Sequence, residues 1–385
     1  MRPSLRNIPS KLPNVKTTIF TTVGNLARKH GALDLSQGFP NFEVDTHLMK
    51  LVTKAMQEGH NQYAPMQGYY RLREIISQKI EKLHGPRYHP ESEITITVGA
   101  TQAIYTAITA FVHPGDEVIV LKPAYDCYEP AIKSNGGIPV PLQLDADGYQ
   151  VDWDAFRNKI TPKTRMVVIN SPHNPSGRIF SKDDMLQLQD ILRPTDIILV
   201  SDEVYEHIVF DGKEHQSASR FADLASRSFV CASFGKTFHV TGWKIGYCVA
   251  PAALMHEFRQ IHQFAVFCVD HPVQRALAEY LSDERRYLDL NAFYQQKRDF
   301  FLEGLKDSKF KFTRSQGTYF QLLDYTAMAD EADEALAERL IVDHKLASIP
   351  ISSFNVNHRD DKVLRFCFAK KQETLEQATE ILRRL

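Results

Sequence analysis

Short runs rich in β-branched residues alternate with segments of helical periodicity, and this alternation limits the possible folds more than any other feature of the chain. Several runs, such as MVVIN and KIGYCVA, are apolar on both faces, which is typical of strands covered by helices on both sides. The pattern predicts a wound α/β sheet. The candidate strands are Ile94–Val98, Glu117–Leu121, Met166–Asn170, Ile197–Ser201, Ser228–Ala232 and Ile245–Ala250.

Helical patterns lie between and after these strands. Ala100–Val112 has an alanine and isoleucine stripe at helical spacing and ends at the tripeptide HPG. From about residue 275 the sequence changes to long polar helices with a few strands. The predicted elements there are the helices Glu284–Leu305, Asp330–His344 and Gln372–Leu385 and the strands Thr318–Leu323 and Val363–Phe368.

These segments divide the chain into three expected parts. Residues 46–275 form a large domain whose mixed, mostly parallel sheet lies between helices, and residues 276–385 form a small α+β domain. Residues 1–45 form an N-terminal arm that belongs to the small domain. We expect ligands to bind at the carboxyl ends of the central strands.

Composition excludes several classes of partner. The chain has 385 residues, a formal net charge of -1 and no basic arm, so nucleic acid and anionic membrane are not expected partners. The five cysteines are odd in number and form no C-x-x-C pair, which indicates free thiols in a reducing compartment and no zinc site. The N-terminus lacks the apolar stretch of a signal peptide, so we expect a cytoplasmic protein.

Polar residues that could carry chemistry follow the predicted strands. Lys236 lies in SFGKTFHVTGWKIGY, just after FVCAS, where small and aromatic neighbours limit the solvation of its amine. A lysine in a loop is, by itself, most often a solvated charge. Asp202 ends the strand IILVS, and Tyr205 follows three residues later. The alternative for Asp202 and Glu203 is a helix cap or a metal-binding pair.

Four further positions have both a functional and a structural interpretation. Asn174 in NSPHNPSG could contact a ligand or only form a turn, and Tyr125 in KPAYDCYEP could stack on a ring or only fill the core. The small residues at 99–102 open a helix and could bind a phosphate, although no Walker motif or G-x-G-x-x-G is present. Arg365 in VLRFCFA could hold a substrate carboxylate or form an internal salt bridge.

This set matches what pyridoxal 5'-phosphate (PLP) requires of a protein. Its aldehyde needs a lysine amine, its pyridine nitrogen a carboxylate, its phenolic oxygen a donor, and its phosphate a helix N-terminus with cationic and hydroxyl groups. Taken in order, the segments resemble the fold type I (aspartate aminotransferase-like) PLP enzymes, in the kynurenine/glutamine transaminase branch. They are most similar to bacterial methionine aminotransferases, which prefer methionine and aromatic amino acids. The segments are LSQGFPNF, NQYAPMQGYYRLRE, GATQAIY, PAYDCYEP, NSPHNPSG, SDEVYEHIVFDG, SFGKTFHVTGWKIGY and LRFCFAKK.

The resemblance implies a role for each matching residue. Lys236 is expected to bond to the cofactor aldehyde and to move the proton of the substrate, Asp202 to bind the pyridine nitrogen, and Tyr205 to bind the phenolic oxygen. It further implies a homodimer with shared active sites, because a tyrosine from the neighbouring subunit reaches the phosphate. The other assignments are Ala100, Thr101, Gln102, Ser233, Lys244 and Tyr63 for the phosphate, Tyr125 for ring stacking, Asn174 beside the phenolic oxygen, and Gly38, Asn174 and Arg365 for the substrate carboxylate.

The sequence departs from the wider superfamily in ways that bear on the substrate. Position 235 is glycine where many relatives have serine, and position 244 is lysine where aspartate aminotransferases have arginine. The stretch HQFAVFCVDHPVQ is apolar near the place where dicarboxylate enzymes keep a second arginine, which disfavours aspartate. Phe20, Phe39 and Phe264–Phe267 are candidates for an apolar side-chain pocket, with core packing as the alternative.

The expected activity is PLP-dependent transfer of an amino group between an L-amino acid, such as methionine, glutamine or an aromatic one, and a 2-oxo acid. A β-lyase acting on cysteine S-conjugates is the alternative on the same fold. A regulatory module of the kind fused to DNA-binding domains is a remote third, since the chain has no basic face.

Overall fold

The computed structural model describes residues 9–385. Its strands are β1 Leu33–Asp34, β2 Ile94–Thr97, β3 Glu117–Lys122, β4 Ile138–Gln143, β5 Thr164–Asn170, β6 Ile198–Asp202, β7 Ser228–Ser233, β8 Gly246–Val249, β9 Phe320–Asp324, β10 Leu346–Ala347, β11 Ile349–Pro350 and β12 Val363–Cys367. Its helices are α1 Ile19–His30, α2 Thr46–Gln57, α3 Tyr70–His84, α4 Gly99–Phe111, α5 Tyr128–Ser134, α6 Trp153–Asn158, α7 Lys182–Leu192, α8 Ala222–Ala225, α9 Phe234–Thr237, α10 Ala252–Ala265, α11 His271–Tyr280, α12 Arg285–Leu288, α13 Leu290–Glu303, α14 Asp333–His344 and α15 Gln372–Arg383.

A seven-stranded sheet forms the centre of the molecule, in the order β2-β8-β7-β6-β5-β3-β4. Strands β7, β6, β5, β3 and β4 are parallel to one another, whereas β8 runs antiparallel to both β2 and β7. This is the mixed, mostly parallel sheet that the sequence predicts. All six predicted strands are present, with ends that differ by up to two residues.

The sequence pattern does not predict the edge strand β4. It contains Pro139 and Pro141, which lack the N–H that a strand needs to pair on both sides. Because β4 pairs only with β3, the two prolines are tolerated at the edge of the sheet. The predicted helix Glu284–Leu305 also differs, since the structure divides it at Asp289 into α12 and α13.

Helices cover both faces of the sheet. Along β5, Met166 and Val168 pack into one apolar layer, together with side chains of α4, α5 and α10. Val167 and Ile169 face the opposite layer, which includes side chains of α3, α7 and α11. This alternation on a strand that is buried on both faces explains why the run MVVIN is apolar throughout.

The remaining strands join the two ends of the chain. Strand β1 is parallel to β10, and β11, β12 and β9 form a three-stranded antiparallel sheet. The N-terminal segment therefore packs on the C-terminal third of the chain, beside the carboxyl ends of β5, β6 and β7. Within residues 9–385, no helix has the length and apolar character that crossing a membrane requires.

Candidate active site

A cavity of about 360 Å³ lies at the carboxyl ends of β5, β6 and β7, where the N-terminal segment and β12 close over the central sheet. This is the place where an open α/β sheet binds ligands. Twelve of the fourteen predicted site residues lie on its wall, together with other residues that the sequence did not mark. Those twelve are Phe20, Gly38, Ala100, Thr101, Tyr125, Asn174, Asp202, Tyr205, Ser233, Lys236, Lys244 and Arg365.

Lys236 lies in α9, the short turn that follows β7. Its Nζ donates a hydrogen bond to the carbonyl oxygen of Gly38 at 3.0 Å. Burial lowers the pKa of Lys236 from 10.5 to about 8, so a considerable fraction of the amine is neutral near physiological pH. A partly neutral, buried amine is suited to attack on an aldehyde.

Gly235, just before this lysine, is explained by close packing. A Cβ atom at this position would lie 3.2 Å from Thr241 Cα and 3.3 Å from the carbonyl oxygen of Val240. The turn at 240–241 therefore leaves little room for a serine side chain.

Asp202 ends β6 and is fully enclosed. The Tyr128 hydroxyl donates to its Oδ2 at 2.5 Å, and the backbone N–H of Val204 donates to its Oδ1 at 3.3 Å. Burial raises the pKa of Asp202 to about 6, although these two hydrogen bonds act in the opposite direction. A cation placed opposite this carboxylate would offset the cost of its burial.

One end of the cavity has the features of an anion site. Ala100 and Thr101 belong to the first turn of α4, and Ser233 and Lys244 lie across from them. Gly99 has a φ of 73°, and a Cβ atom there would lie 3.6 Å from Lys244 Nζ. A helix N-terminus, a hydroxyl and an ammonium therefore meet at one point, an arrangement that suits a phosphate.

Arg365 occupies the other end of the cavity, on β12. One Nη donates to Asn174 Oδ1 at 2.7 Å and the other to the carbonyl oxygen of Ser36 at 2.9 Å, while Nε is buried without a partner. Its guanidinium carbon lies 3.9 Å from the ring centroid of Phe320. Burial lowers the pKa of Arg365 to about 10.

No carboxylate pairs with Arg365 anywhere in residues 9–385, so the internal salt bridge weighed above is wrong for the described part of the chain. A guanidinium that is 1% exposed and lacks a counter-ion is costly, and a bound carboxylate would relieve that cost.

Two predicted site residues, Gln102 and Tyr63, do not line the cavity, and neither does the Phe264–Phe267 region. The Gln102 side chain accepts a hydrogen bond from the Val98 N–H and donates one to the Thr106 hydroxyl, so its amide is occupied within α4. Tyr63 is 78% exposed and rests edge-on against Phe267. Phe264, at the end of α10, is 87% exposed, so the prediction that the Phe264–Phe267 region forms the side-chain pocket is not met within one chain. Phe20 and Phe39 do line the cavity.

Comparison with known proteins places the chain in a family. The family model for class I and II aminotransferases matches residues 31–382. The chain belongs to the class I and II aminotransferases. The aminotransferase transfers an amino group between an amino acid and a 2-oxo acid, and enzymes of this family depend on PLP.

Individual relatives cover nearly the whole aminotransferase. Methionine aminotransferase of Escherichia coli is 45% identical over 377 residues, 98% of each chain, and human kynurenine–oxoglutarate transaminase 1 is 31% identical over 93% of each. The crystal structure of an E. coli protein with a methionine aminotransferase function superimposes with a TM-score of 0.97, at 44% identity over 100% of both chains. Aspartate aminotransferase of Thermus thermophilus gives 0.90, at 29% identity over 99% of this chain and 100% of that one. The predicted fold and enzyme class are confirmed, and the β-lyase alternative is not favoured.

The aminotransferase has site residues that sequence reasoning missed. Tyr128 donates to Asp202, and Asn170 donates to the Asp202 carbonyl oxygen at 2.8 Å while its Oδ1 accepts from the backbone of Asn174. Tyr319 donates to the carbonyl oxygen of Gly38 at 2.6 Å. The only signal for Tyr128 was its place in PAYDCYEP, one helical turn after Tyr125.

Proposed function

We propose that this aminotransferase holds PLP between Lys236 and Asp202 and acts on an L-amino acid with an apolar side chain, exchanging its amino group with a 2-oxo acid. One observation carries the proposal. The partly neutral amine of Lys236, the enclosed carboxylate of Asp202 and the guanidinium of Arg365, which has no carboxylate partner, share one cavity.

The residues present fit the cofactor. The pKa of Asp202, raised by burial, marks a carboxylate that gains from a cationic ring nitrogen opposite it. Ala100, Thr101, Ser233 and Lys244 would hold the phosphate, and the Tyr205 hydroxyl the phenolic oxygen. PLP supplies an electron-withdrawing ring that stabilises negative charge at the substrate α-carbon. Tyr125 would stack on that ring, and Asn174 would lie beside its phenolic oxygen.

Lys236 acts as the base within this arrangement. Its Nζ removes the proton from the α-carbon of the substrate, which requires the neutral form of the amine. Because burial lowers its pKa to about 8, that form is available without a second base.

Arg365 orients the substrate. Its two Nη groups are held by Asn174 and Ser36, so the plane of the guanidinium is fixed before the carboxylate arrives. A fixed plane reduces the entropy lost on binding. Gly38 lies against Phe320, where a Cβ atom would come within 2.8 Å of Cζ, so the segment that closes over the carboxylate can approach closely.

The side-chain preference follows from the apolar part of the cavity wall, where the Phe20 ring centroid lies 5.3 Å from the guanidinium carbon of Arg365 and Phe39 also lines the cavity. Such a wall favours methionine and aromatic side chains, and glutamine through its aliphatic part, over aspartate. The 45% identity to a methionine aminotransferase supports the same donor.

A panel of amino donors tests this preference. We expect kcat/KM for methionine and phenylalanine to exceed that for aspartate by about tenfold or more. Phe20→Leu should lower the ratio of kcat/KM for methionine to kcat/KM for aspartate. The matched control is Phe300→Leu, on the outer face of α13, which should leave that ratio unchanged. Equal values for aspartate and methionine in the wild type would contradict the proposal.

The functional unit we propose is a homodimer. Tyr63 and Phe267 form an exposed aromatic pair outside the cavity of their own chain, which fits a role in the site of a partner subunit. Sedimentation should give a mass near twice 44.0 kDa, and Tyr63→Ala should weaken cofactor binding. A fully active monomer would contradict this part of the proposal. The domain boundaries at 45 and 275 and a cytoplasmic location, which the five free thiols support, stay predictions.

A further inference from the structure

Lys370 is a buried lysine that contacts the cavity wall from behind. It follows β12 and is only 2% exposed. Its Nζ donates to the carbonyl oxygen of Phe39 at 3.0 Å and lies 4.9 Å from the centroid of the Phe39 ring. Within residues 9–385 this ammonium forms no ion pair with a carboxylate. A buried cation is costly without partners, and here the carbonyl and the ring of one residue serve as the partners.

The Phe39 ring depends on this contact more than the other phenylalanine of the wall depends on any one neighbour. The ring of Phe20 packs against those of Tyr125 and Phe354, with centroids 6.4 and 5.7 Å away. Phe39 is 44% exposed and lines the cavity. Within residues 9–385 it pairs with no other aromatic ring, and the cation over its ring is that of Lys370. The wall therefore has one ring fixed by aromatic packing and one held by an ammonium.

We propose that Lys370 is a positioning residue for substrate specificity, which holds the Phe39 ring against the side chain of the bound amino acid and so favours thioether and aromatic donors over aliphatic ones. This inference rests on the proposed function, because it requires that side chain to lie along the apolar wall. A thioether sulfur or a second ring gains from contact with an aromatic ring, and an alkyl chain of the same length lacks that gain.

The segment that carries the ring has separate anchors on its N-terminal side. The carbonyl oxygen of Ser36 accepts a hydrogen bond from Arg365 at 2.9 Å, and that of Gly38 accepts one from Tyr319 at 2.6 Å. Loss of the Lys370 ammonium should therefore free the ring and leave the site of the substrate carboxylate in place. The effect should depend on the side chain of the donor and not on the groups that all amino acids share.

The test compares two donors, L-methionine and L-norleucine, which have side chains of the same length and differ by a sulfur in place of a methylene group. Lys370→Met removes the ammonium and keeps an unbranched side chain. We expect the ratio of kcat/KM for methionine to kcat/KM for norleucine to fall by about two- to tenfold, the range that one sulfur–aromatic contact supplies. A purely structural role for the lysine would change both donors equally and leave this ratio unchanged.

Lys297→Met is the matched control. Lys297 Nζ donates to the carbonyl oxygen of Lys370 at 2.8 Å and lies 4.9 Å from the ring centroid of Phe42, which does not line the cavity. Both variants thus lose an ammonium that contacts one carbonyl and one ring. The control should keep the wild-type ratio. A fall equal to that in Lys370→Met would attribute the effect to loosening of the C-terminal segment and would overturn the inference.

A double variant shows whether Lys370 acts through the ring. Phe39→Leu removes the ring and keeps both the carbonyl and the lysine, so it stays informative if Lys370→Met does not fold. It should lower the ratio as much as Lys370→Met does, and the two changes together should lower it no further.

An unchanged ratio in either single variant, or an additive fall in the double variant, would contradict the inference and leave the proposed function intact. Failure of the wild type with PLP to transfer an amino group from either donor would instead overturn the proposed function itself.

Discussion

Replacing Arg365 by lysine keeps the charge at the carboxylate end of the cavity and removes the fork. In the structure the guanidinium gives one Nη to Asn174, one to Ser36, and stacks 3.9 Å from the Phe320 ring centroid. An ammonium cannot satisfy these acceptors and a carboxylate in the same geometry. Loss of one charge-assisted hydrogen bond costs about 1.5–3 kcal/mol and loss of the stacking about 0.5–1 kcal/mol. The sum, about 2–4 kcal/mol, predicts a fall in kcat/KM of about 30- to 1,000-fold.

Steady-state kinetics with L-methionine and a saturating 2-oxo acid would measure this loss. Because the carboxylate is bound in both ground and transition states, most of the change should appear as a higher KM, with a smaller change in kcat. The matched control is Arg298→Lys on α13, where an equally buried guanidinium binds Asp211 and Asp299 far from the chemistry. That control should lose thermal stability and keep kcat/KM within about threefold of the wild type. A similarly small change in Arg365→Lys would refute the assignment of Arg365 to the carboxylate.

Three further outcomes are expected. Lys236→Ala should abolish turnover and the visible absorbance of the bound cofactor, and a variant with the wild-type spectrum and rate would contradict the role of the lysine. Tyr128→Phe removes the 2.5 Å hydrogen bond to Asp202 and should raise the Kd for PLP by about tenfold, as equilibrium dialysis would show; an unchanged Kd would be inconsistent with that contact. The rate of PLP uptake by the apoprotein should rise with pH and level off above about 8, because the neutral amine of Lys236 predominates there; a rate that climbs until 10.5 would indicate an ordinary, solvated lysine.

The fold could be predicted from the sequence because strands that helices cover on both faces must be apolar on both faces. The run MVVIN and its neighbours satisfy this condition, so the central sheet and the site at its carboxyl edge could both be predicted. Strand β4 could not be predicted. Its prolines at 139 and 141 are compatible with a strand only at the edge of a sheet, and which strand lies at the edge is known only from the assembled sheet.

Side-chain direction limited the prediction of the site. Gln102 belongs to the helix turn that faces the cavity, yet its amide is taken by the Val98 N–H and Thr106, and only the three-dimensional structure reveals this competition. Tyr128 and Tyr319 were missed for the opposite reason. Each is a buried aromatic residue, and the sequence alone assigns such a residue to core packing.

The loop after β6 shows how local sequence and distant packing jointly fix the site. Asp202 and Tyr205 face the cavity, whereas Glu203 and Glu206 face a buried polar layer on the other side. Burial alone would raise the pKa of both glutamates, but their cationic or histidine partners lower it. His215 is hydrogen-bonded to Glu203 at 2.7 Å, and Lys79 donates to Glu206 at 2.7 Å; the Tyr247 hydroxyl adds a further hydrogen bond to Glu206 at 2.8 Å. Breaking one such buried pair leaves an uncompensated charge, so the loop cannot shift without a large cost. The run DEVYE therefore contributes two residues to the site and two that hold those residues in place.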